Sequence, residues 1–293
     1  HVTGVQTCAL PILHPMQKGS LFLGSLSYLY YIIVMIKVSH EVPLELLEKS
    51  FEFNDYDYFL PTFAENEKYL NHFIKAREKG RFIIMDNGLF ENDLKDEKTL
   101  LHYYETIQPD VFITPDCWND SDTTFDNYQK WKTKVDPNKI MVVLQAQDMF
   151  EAEDLYERLV KDGVKYIGFN HLGQFYDDFS CHPHFDTRKT LGRVEFISYL
   201  KETEKLDKDV HHHLLGCSQA EEFKYYPSVF YPEIKTCDTS NPVTLAFEGL
   251  DYEKHRNILT KPKTKVEDIF TTVDRGKLWL AEKNIETFKQ FLS

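Results

Sequence analysis

The stretch VVLQAQDMFEAEDLYERLVKDGVKYIGFN, residues 142–170, is the clearest indication of the fold. It begins as an apolar strand and continues into a helix that carries Leu155 and Leu159 on one face. Asp162 and Gly163 then end the helix, and a second apolar strand follows. A strand, a helix and a second strand in this order form a βαβ unit, in which the two strands run parallel.

The same alternation runs through the chain after residue 35 and predicts a parallel sheet. The strand candidates are Ile36–Ser39, Phe82–Asp86, Val111–Thr114, Ile140–Gln145, Tyr166–Asn170, His213–Gly216 and Ile234–Cys237. The helix candidates are Pro43–Ser50, Glu65–Glu78, Asp96–Ile107, Thr123–Lys134, Phe150–Lys161, Arg193–Lys205, Gln219–Tyr225 and Leu278–Leu292. Because no G-x-G-x-x-G loop follows the first strand, we predict a single-domain (β/α)8 TIM barrel rather than an open sheet. Val243–Phe247 and Asp268–Val273 compete for the eighth strand.

Residues 1–34 differ in composition from the rest of the chain. They carry one charge, Lys18, whereas all 47 Asp and Glu residues of the protein lie at or after Glu41. The apolar run 21–36 is shorter than the roughly 20 residues that a membrane-spanning helix needs. Residues 2–12, VTGVQTCALPI, read back into codons, resemble a common sequencing adapter. We therefore predict a non-native leader over 1–34, a barrel over 35–293, no membrane association and a cytoplasmic location.

Polar side chains stand at the carboxyl ends of several predicted strands, where TIM barrels carry their chemistry. They include Asp86 in IIMDNG, Asp116 in FITPDCW, Gln145 in VVLQAQ and Asp238 in KTCDTSNP. The first three are separated by close to one βα unit of about 30 residues, so we expect these side chains to converge on one mouth. A single Asp there could equally cap the following helix, but three acids and a Gln at strand ends weaken that explanation. Three carboxylates suit glycosyl transfer or a divalent-metal site.

Six segments, taken in order, resemble strand ends of the tRNA-guanine transglycosylases. They are IIMDNGLFE, FITPDCW, VVLQAQ, YIGFNHLG, HLLGCSQAEE and KTCDTSNP, and they cover roughly residues 82–242. The family's C-terminal zinc site, C-x-C-x-x-C plus His, has no counterpart, since no Cys follows residue 242. This zinc-free form is similar to the phage and bacterial "DeoxyPurine in DNA protein A" branch, which exchanges guanine in DNA for a 7-deazaguanine.

The resemblance implies a pentosyltransferase with two catalytic carboxylates. Asp238 would attack C1′ and form a covalent glycosyl-enzyme, and Asp86 would act as general acid and base. Phe90 would stack on the base, and Asp116 and Gln145 would read its polar edge. The resemblance also implies that Gly168, or a neighbour in the same loop, offers a backbone amide to O6 of the base.

The expected partners are DNA, with tRNA as the alternative, and a free 7-deazaguanine base, without cofactor or metal. The target base would leave the duplex to reach the pocket. The chain carries 34 Lys and Arg against 47 Asp and Glu, a net charge of −13, which is unusual for a nucleic-acid-binding protein. Basic clusters on the face of the catalytic residues, or a basic helper subunit, would have to supply the contact. These clusters are Lys130, Lys132 and Lys134; Arg188, Lys189 and Arg193; Lys254 and Arg256; and Lys261, Lys263 and Lys265.

Two other classes of protein stay open. A metal-dependent barrel hydrolase would use Asp86, Asp116 and His213. A non-catalytic nucleic-acid-binding relative would be favoured if Asp86 or Asp238 pointed away from the pocket. The triplet His211–His213 and the CHPH motif at 181–184 also contain metal-binding residue types. We expect one histidine of the triplet to point into the barrel, and no fourth ligand accompanies CHPH.

Overall fold

The computed structural model describes residues 35–91, 93–255, 264 and 275–292. Contacts between Cα atoms group residues 34–293 into one compact unit. The predicted leader, the strand candidate Asp268–Val273 and the basic cluster at 261–265 lie outside the described residues. Within the described ranges, no helix is both long enough and apolar enough to cross a bilayer.

Eight parallel strands alternate with helices, which confirms the prediction of a (β/α)8 barrel. The strands are β1 (Lys37–His40), β2 (Asp57–Phe59), β3 (Ile83–Met85), β4 (Val111–Ile113), β5 (Ile140–Leu144), β6 (Tyr166–Phe169), β7 (His211–Leu214) and β8 (Ile234–Thr239). The helices are α1 (Leu47–Phe53), α2 (Glu67–Glu78), α3 (Glu97–Ile107), α4 (Ser121–Trp131), α5 (Met149–Lys161), α6 (Phe185–Glu202), α7 (Asn241–Phe247), α8 (Tyr252–His255) and α9 (Arg275–Lys289).

The core lies inside the barrel and between the barrel and its helices. Every residue of β5 is buried, because helices outside and side chains inside cover both faces of a barrel strand. Helix α5 buries Ala152, Leu155 and Leu159, as its 3.6-residue period predicts. The Asp148 carboxylate caps this helix by accepting the Glu151 N–H at 3.0 Å. Local patterning of the sequence therefore accounts for the βαβ unit from β5 to β6.

Of the two candidates for the eighth strand, Val243–Phe247 is wrong, because it belongs to α7. The strand that the sequence analysis missed is β2, which is three residues long and begins with an acid, Asp57. A buried carboxylate at a strand start is tolerated here because Arg81 Nε donates to Asp57 Oδ2 at 2.5 Å. The ion pair joins residues that are 24 positions apart. A local sequence pattern therefore does not predict this strand.

The barrel closes where β1 faces β2, at the two ends of the strand order β1-β8-β7-β6-β5-β4-β3-β2. The segment before β2 supplies the hydrogen bonds across this seam. The Asp55 N–H donates to the Val38 carbonyl at 3.0 Å, and the Asp55 carboxylate accepts the Val38 N–H at 2.9 Å. Asn54 Oδ1 accepts the His40 N–H at 2.8 Å. One backbone bond and two bonds to side chains thus take the place of a strand ladder at the seam.

Helix α6 begins at Phe185 rather than at the predicted Arg193. Gly192, which directly precedes the predicted start, lies in the middle of this helix. A Cβ at that position would come within 2.3 Å of the Tyr176 carbonyl oxygen, so the glycine allows close packing instead of ending the helix. The predicted helix 219–225 is a 3₁₀ helix over Ala220–Tyr225.

Candidate active site

A pocket with about 810 Å³ of open space lies at the carboxyl ends of the strands. Five of the six residues that the sequence selects line it: Asp86, Phe90, Asp116, Gln145 and Asp238. Asp86 follows β3, Asp116 follows β4, Gln145 follows β5, and Asp238 lies within β8. The structure therefore brings residues from four separate βα units into one cavity, while their individual roles stay predictions.

Gly168 is the exception, because it lies within β6 below the pocket. A Cβ there would come within 2.6 Å of Leu215 Cδ1 and 3.2 Å of Val143 Cγ2, and both of those side chains line the pocket. The glycine makes room for the pocket floor, which does not favour the predicted contact of its amide with a base. Its neighbours Asn170 and His171 do line the pocket.

The helix caps are formed by acids other than those in the pocket. Asp96, Asp120 and Asp148 each accept the N–H three residues further on, at the start of α3, α4 and α5. We call Asp86, Asp116 and Asp238 the mouth carboxylates. Capping of these helices therefore does not explain why acids stand at the strand ends.

Asp86 is buried beneath hydrogen-bond donors from β2 and from its own turn. Its Oδ1 accepts the Asn87 N–H at 2.5 Å and the Gly88 N–H at 2.9 Å, and its Oδ2 accepts the Tyr58 hydroxyl. Burial raises the pKa of Asp86, the Asp238 charge adds to this, and the donors from Tyr58 and Gly88 oppose it. The net effect raises the pKa, which favours a carboxyl group that holds a proton.

The Asp238 carboxylate contacts an imidazole nitrogen and a backbone N–H. His213 Nε2 lies 3.0 Å from its Oδ1, and the Gly216 N–H lies 3.2 Å from each of its two oxygens. Hydrogen bonds of this kind stabilise a negative carboxylate. The Asp238 carbonyl also accepts the Cys217 N–H at 3.0 Å, which fixes the backbone beneath the side chain.

Asp116 anchors a row of amide side chains across the pocket floor. Its oxygens accept Gln145 Nε2 at 2.6 Å and Asn87 Nδ2 at 2.7 Å. Gln145 Oε1 in turn accepts Asn170 Nδ2 at 3.1 Å. Burial raises the pKa of Asp116 to about 6, even though both amide donors lower it. The row presents hydrogen-bonding groups at fixed positions on the floor of the cavity.

Two aromatic rings stand at the edge of this pocket. Phe90 is 46% exposed, Trp118 is 37% exposed, and their ring centroids are 6.4 Å apart at an interplanar angle of 52°. Exposed aromatic rings beside a polar floor suit a flat heteroaromatic ligand, because the rings bind its faces and the floor binds its edge.

The pocket residues that the sequence analysis did not select include Tyr58, Asn87 and Trp118. Asn87 and Trp118 stand within the motifs that pointed to Asp86 and Asp116, and this proximity was the available signal. Tyr58 lies on β2, the strand that local patterning did not show. Its role depends on a neighbour 28 residues away, so the sequence offers no comparable signal.

The side chains of His211–His213 do not have the predicted orientation, in which one histidine points into the barrel and two point away. His211 and His213 both bond to Thr236 Oγ1, at 2.7 Å and 2.9 Å, so two rings share one side of β7. His212 faces the other side and bonds to the Tyr156 hydroxyl at 3.0 Å. Among the described residues, no three or more His, Cys, Asp or Glu side chains are grouped to hold a metal ion. Asp86, Asp116 and His213 therefore do not form the metal site that the hydrolase hypothesis requires.

Two of the four basic clusters form ion pairs in the described part of the chain. Lys130 and Lys134 pair with Glu97, and Lys132 pairs with Asp162. These lysines stand in the last turn of α4 or between α4 and the start of β5, and so toward the end of the barrel opposite the pocket. On the pocket side, Arg188 and Lys189 pair with Asp177, and the buried Arg193 pairs with Glu222. The cluster of Lys130, Lys132 and Lys134 therefore does not lie on the same face as Asp86 and Asp238.

The fold and the pocket define an α/β barrel with a candidate active site of carboxylates and amides. No protein-family model and no curated protein matches the chain. Among solved structures, it resembles the carboxyl transferase domain from Rhizobium etli pyruvate carboxylase with oxalate, at 10% identity over 90% of this chain and 49% of that chain, with a TM-score of 0.43. The chain thus spans about half the length of that structure.

Two aldolases are also similar in fold. The YdjI aldolase from Escherichia coli K12 is 13% identical over 85% of this chain and 95% of its own length, with a TM-score of 0.34. The fructose-bisphosphate aldolase from Campylobacter jejuni is 13% identical over 89% and 96%, with a TM-score of 0.32. All three structures are named as enzymes, but similarity at this level carries no information about the activity of the chain.

Proposed function

We propose that the protein is an enzyme that exchanges guanine in DNA for a 7-deazaguanine base. One observation carries this proposal: two buried carboxylates share a pocket but have different surroundings. Burial favours the protonated form of Asp86, whereas two N–H groups stabilise the carboxylate of Asp238. Glycosyl transfer with retention needs such a pair, one group that donates a proton and one that attacks.

In the first half of the reaction, an Asp238 oxygen attacks C1′ of the deoxyguanosine. The C1′–N9 bond breaks as the C1′–O bond forms, and the proton of Asp86 passes to the leaving guanine. The result is a covalent glycosyl-enzyme, which divides one difficult displacement into two easier ones.

In the second half, Asp86 acts as the base. It takes a proton from the incoming 7-deazaguanine, whose nitrogen attacks C1′ and releases Asp238 as a carboxylate. Two inversions at C1′ give overall retention of configuration. Asp86 ends the cycle protonated and Asp238 ends it ionised, which is the state in which both began.

The amide row is suited to the edge of a guanine-type base. An ionised Asp116 accepts hydrogen bonds, as the N1–H and amino groups of the base require. Gln145 Nε2 donates one hydrogen to Asp116 and has a second for a carbonyl oxygen such as O6. Phe90 and Trp118 at the pocket edge would stack on the base.

DNA is the proposed macromolecular substrate, and tRNA is the alternative. In either case the target base must leave its stack to reach Asp238. The described lysines and arginines that we considered are largely paired with acids, so we propose that a basic helper subunit assists binding to the phosphate backbone.

The test is base exchange with a labelled acceptor base. Guanine-containing duplex DNA and, separately, tRNA are incubated with the protein and labelled 7-cyano-7-deazaguanine. We expect label in the DNA, none in the Asp238→Ala variant, and no trapped covalent adduct with Asp238→Asn. Label in tRNA alone would assign the other substrate, and label in neither would overturn the proposal.

A further inference from the structure

A chain of hydrogen bonds between β7 and β8 ends on Asp238. His213 Nε2 lies 3.0 Å from Asp238 Oδ1, and His213 Nδ1 lies 2.9 Å from Thr236 Oγ1. The same hydroxyl oxygen lies 2.7 Å from His211 Nε2. A register shift between His212 and His213 pairs His213 with Thr236 on β8 and so brings the three side chains together. We call His211, Thr236 and His213 the histidine chain.

The Asp238 end of the histidine chain fixes the direction of one hydrogen bond. An ionised Asp238 only accepts, so His213 Nε2 carries a hydrogen. Thr236 Oγ1 donates one hydrogen and also accepts, so this hydroxyl can serve both of the ring nitrogens that face it. Burial lowers the pKa of His211 to about 3, so this first ring is neutral.

The His213 ring is held on its faces as well as at its nitrogens. The Tyr58 ring stacks on it at a centroid distance of 5.9 Å and an angle of 14°, and the Tyr56 ring meets it edge-on at 6.4 Å. The same Tyr58 donates its hydroxyl to Asp86. His213 is fully buried, and its orientation is therefore determined by β2, β7 and β8 together.

We propose that the histidine chain is a positioning device that holds the attacking oxygen of Asp238 through the Nε2–H of His213. This inference rests on the proposed role of Asp238 as nucleophile. A donor that is held at its other ring nitrogen and on its ring faces fixes the carboxylate in one orientation and stabilises its charge. The oxygen is thereby directed toward C1′ before the substrate binds.

The first test compares His213→Leu with His213→Gln in the exchange reaction. Glutamine places an amide N–H near the position of imidazole Nε2, whereas leucine keeps much of the volume without a donor. We expect His213→Leu to lower kcat by about 100-fold and His213→Gln to recover activity to within about tenfold, with KM for the free base unchanged. His212→Gln, on the opposite side of β7, is the matched control and should keep kcat.

The split between kcat and the folded fraction separates positioning from simple structural support. A structural defect would lower the fraction of folded protein, whereas loss of positioning lowers kcat per folded molecule and leaves KM unchanged. Thermal unfolding of His213→Leu, measured beside the exchange rates, distinguishes the two cases. A His213→Leu enzyme with wild-type kcat per folded molecule would overturn the inference.

The second test does not depend on activity. Two-bond ¹H–¹⁵N spectra of histidine-labelled protein at pH 7.5, with His213→Gln used for assignment, report which ring nitrogen carries the hydrogen. We expect His213 to carry hydrogen on Nε2, and its signals to move in Asp238→Asn. Hydrogen on Nδ1 alone would overturn the inference. Absence of exchange by the wild-type protein would instead overturn the proposed function, and the spectra would still decide the state of the histidine chain.

Discussion

Aspartates at the two ends of the barrel have different kinds of bonding partner. At the amino ends of the strands, Asp57 is bonded by Arg81 at 2.5 Å, and Asp110 is bonded by Arg77 at 3.1 Å. At the carboxyl ends, none of the mouth carboxylates forms an ion pair with a described lysine or arginine. Their partners are hydroxyl, amide, backbone and imidazole groups, such as Tyr58 on Asp86 and Gln145 on Asp116.

This difference separates acids that support the fold from acids that are available for chemistry. A carboxylate held by a guanidinium has its charge compensated, so it is a poor acid, base or nucleophile. A buried carboxylate with neutral partners retains a charge that a reaction can use, at a cost in stability. The location agrees with the general rule that TIM barrels bind substrates at the carboxyl ends of their strands.

The largest effect should come from Asp86→Asn, which keeps the shape of the side chain but removes its transferable proton. We expect base exchange to fall by about 10²- to 10⁴-fold, with little loss of stability. Rates of label incorporation, measured beside thermal unfolding, check both parts. Asp110→Asn is the matched change at the other end, and it should lower stability while the rate per folded molecule stays the same.

The next largest effect is expected from Arg81→Leu at the amino ends of the strands. It leaves Asp57 buried without a cation and removes the hydrogen bond from Arg81 to the Asn54 carbonyl, so the free energy of unfolding should fall by about 3 kcal/mol. Chemical denaturation measures this loss. Arg77→Leu breaks a more exposed pair and should cost less, about 1 kcal/mol or below. Equal losses would contradict the assignment of Asp57 as the buried anchor of β2.

Asp116→Asn should change how stability depends on pH. The pKa of Asp116 is raised to about 6 in the folded protein, whereas an unfolded aspartate titrates near pH 4. Ionisation therefore costs folding free energy that accumulates between about pH 4 and 6 and stays in full above pH 6. Between pH 4 and 7, the variant should gain about 2 kcal/mol relative to the wild type.

The same titration should affect binding of the free base. Below about pH 6 Asp116 gains a proton and loses acceptor capacity, so the Kd for 7-deazaguanine should rise as the pH falls. Calorimetric titrations across this range measure the change. A pH-independent Kd in the wild type would show that Asp116 does not read the base.

The smallest effect is expected from Lys130→Ala. Its side chain is 58% exposed, so loss of the pair with Glu97 should change stability by about 0.5 kcal/mol or less. Affinity for DNA should also stay the same, because Lys130 lies at the opposite end of the barrel from the pocket. A clear loss of DNA binding in Lys130→Ala would place the nucleic acid at the end of the barrel opposite the pocket, which contradicts the proposed reaction.

Much of the fold was predictable because strand and helix periods are local properties of the sequence. Seven strands and most helices were located from runs such as IMVVL in β5 and from the apolar face of α5. Strand β2 was not, because its first residue is a charged Asp57 that becomes acceptable only through Arg81. The strand candidate Val243–Phe247 was wrong because a short apolar run fits a buried helix equally well.

The sequence by itself determined that Asp86, Asp116, Gln145 and Asp238 stand at strand ends, because one βα unit has a nearly constant length. Only the tertiary structure decided what surrounds them. Tyr58 reaches Asp86 across 28 residues, and His213 reaches Asp238 across 25. Protonation and orientation depend on burial and on donors within about 3 Å, which come from distant parts of the chain. Such contacts exist only once the barrel has closed.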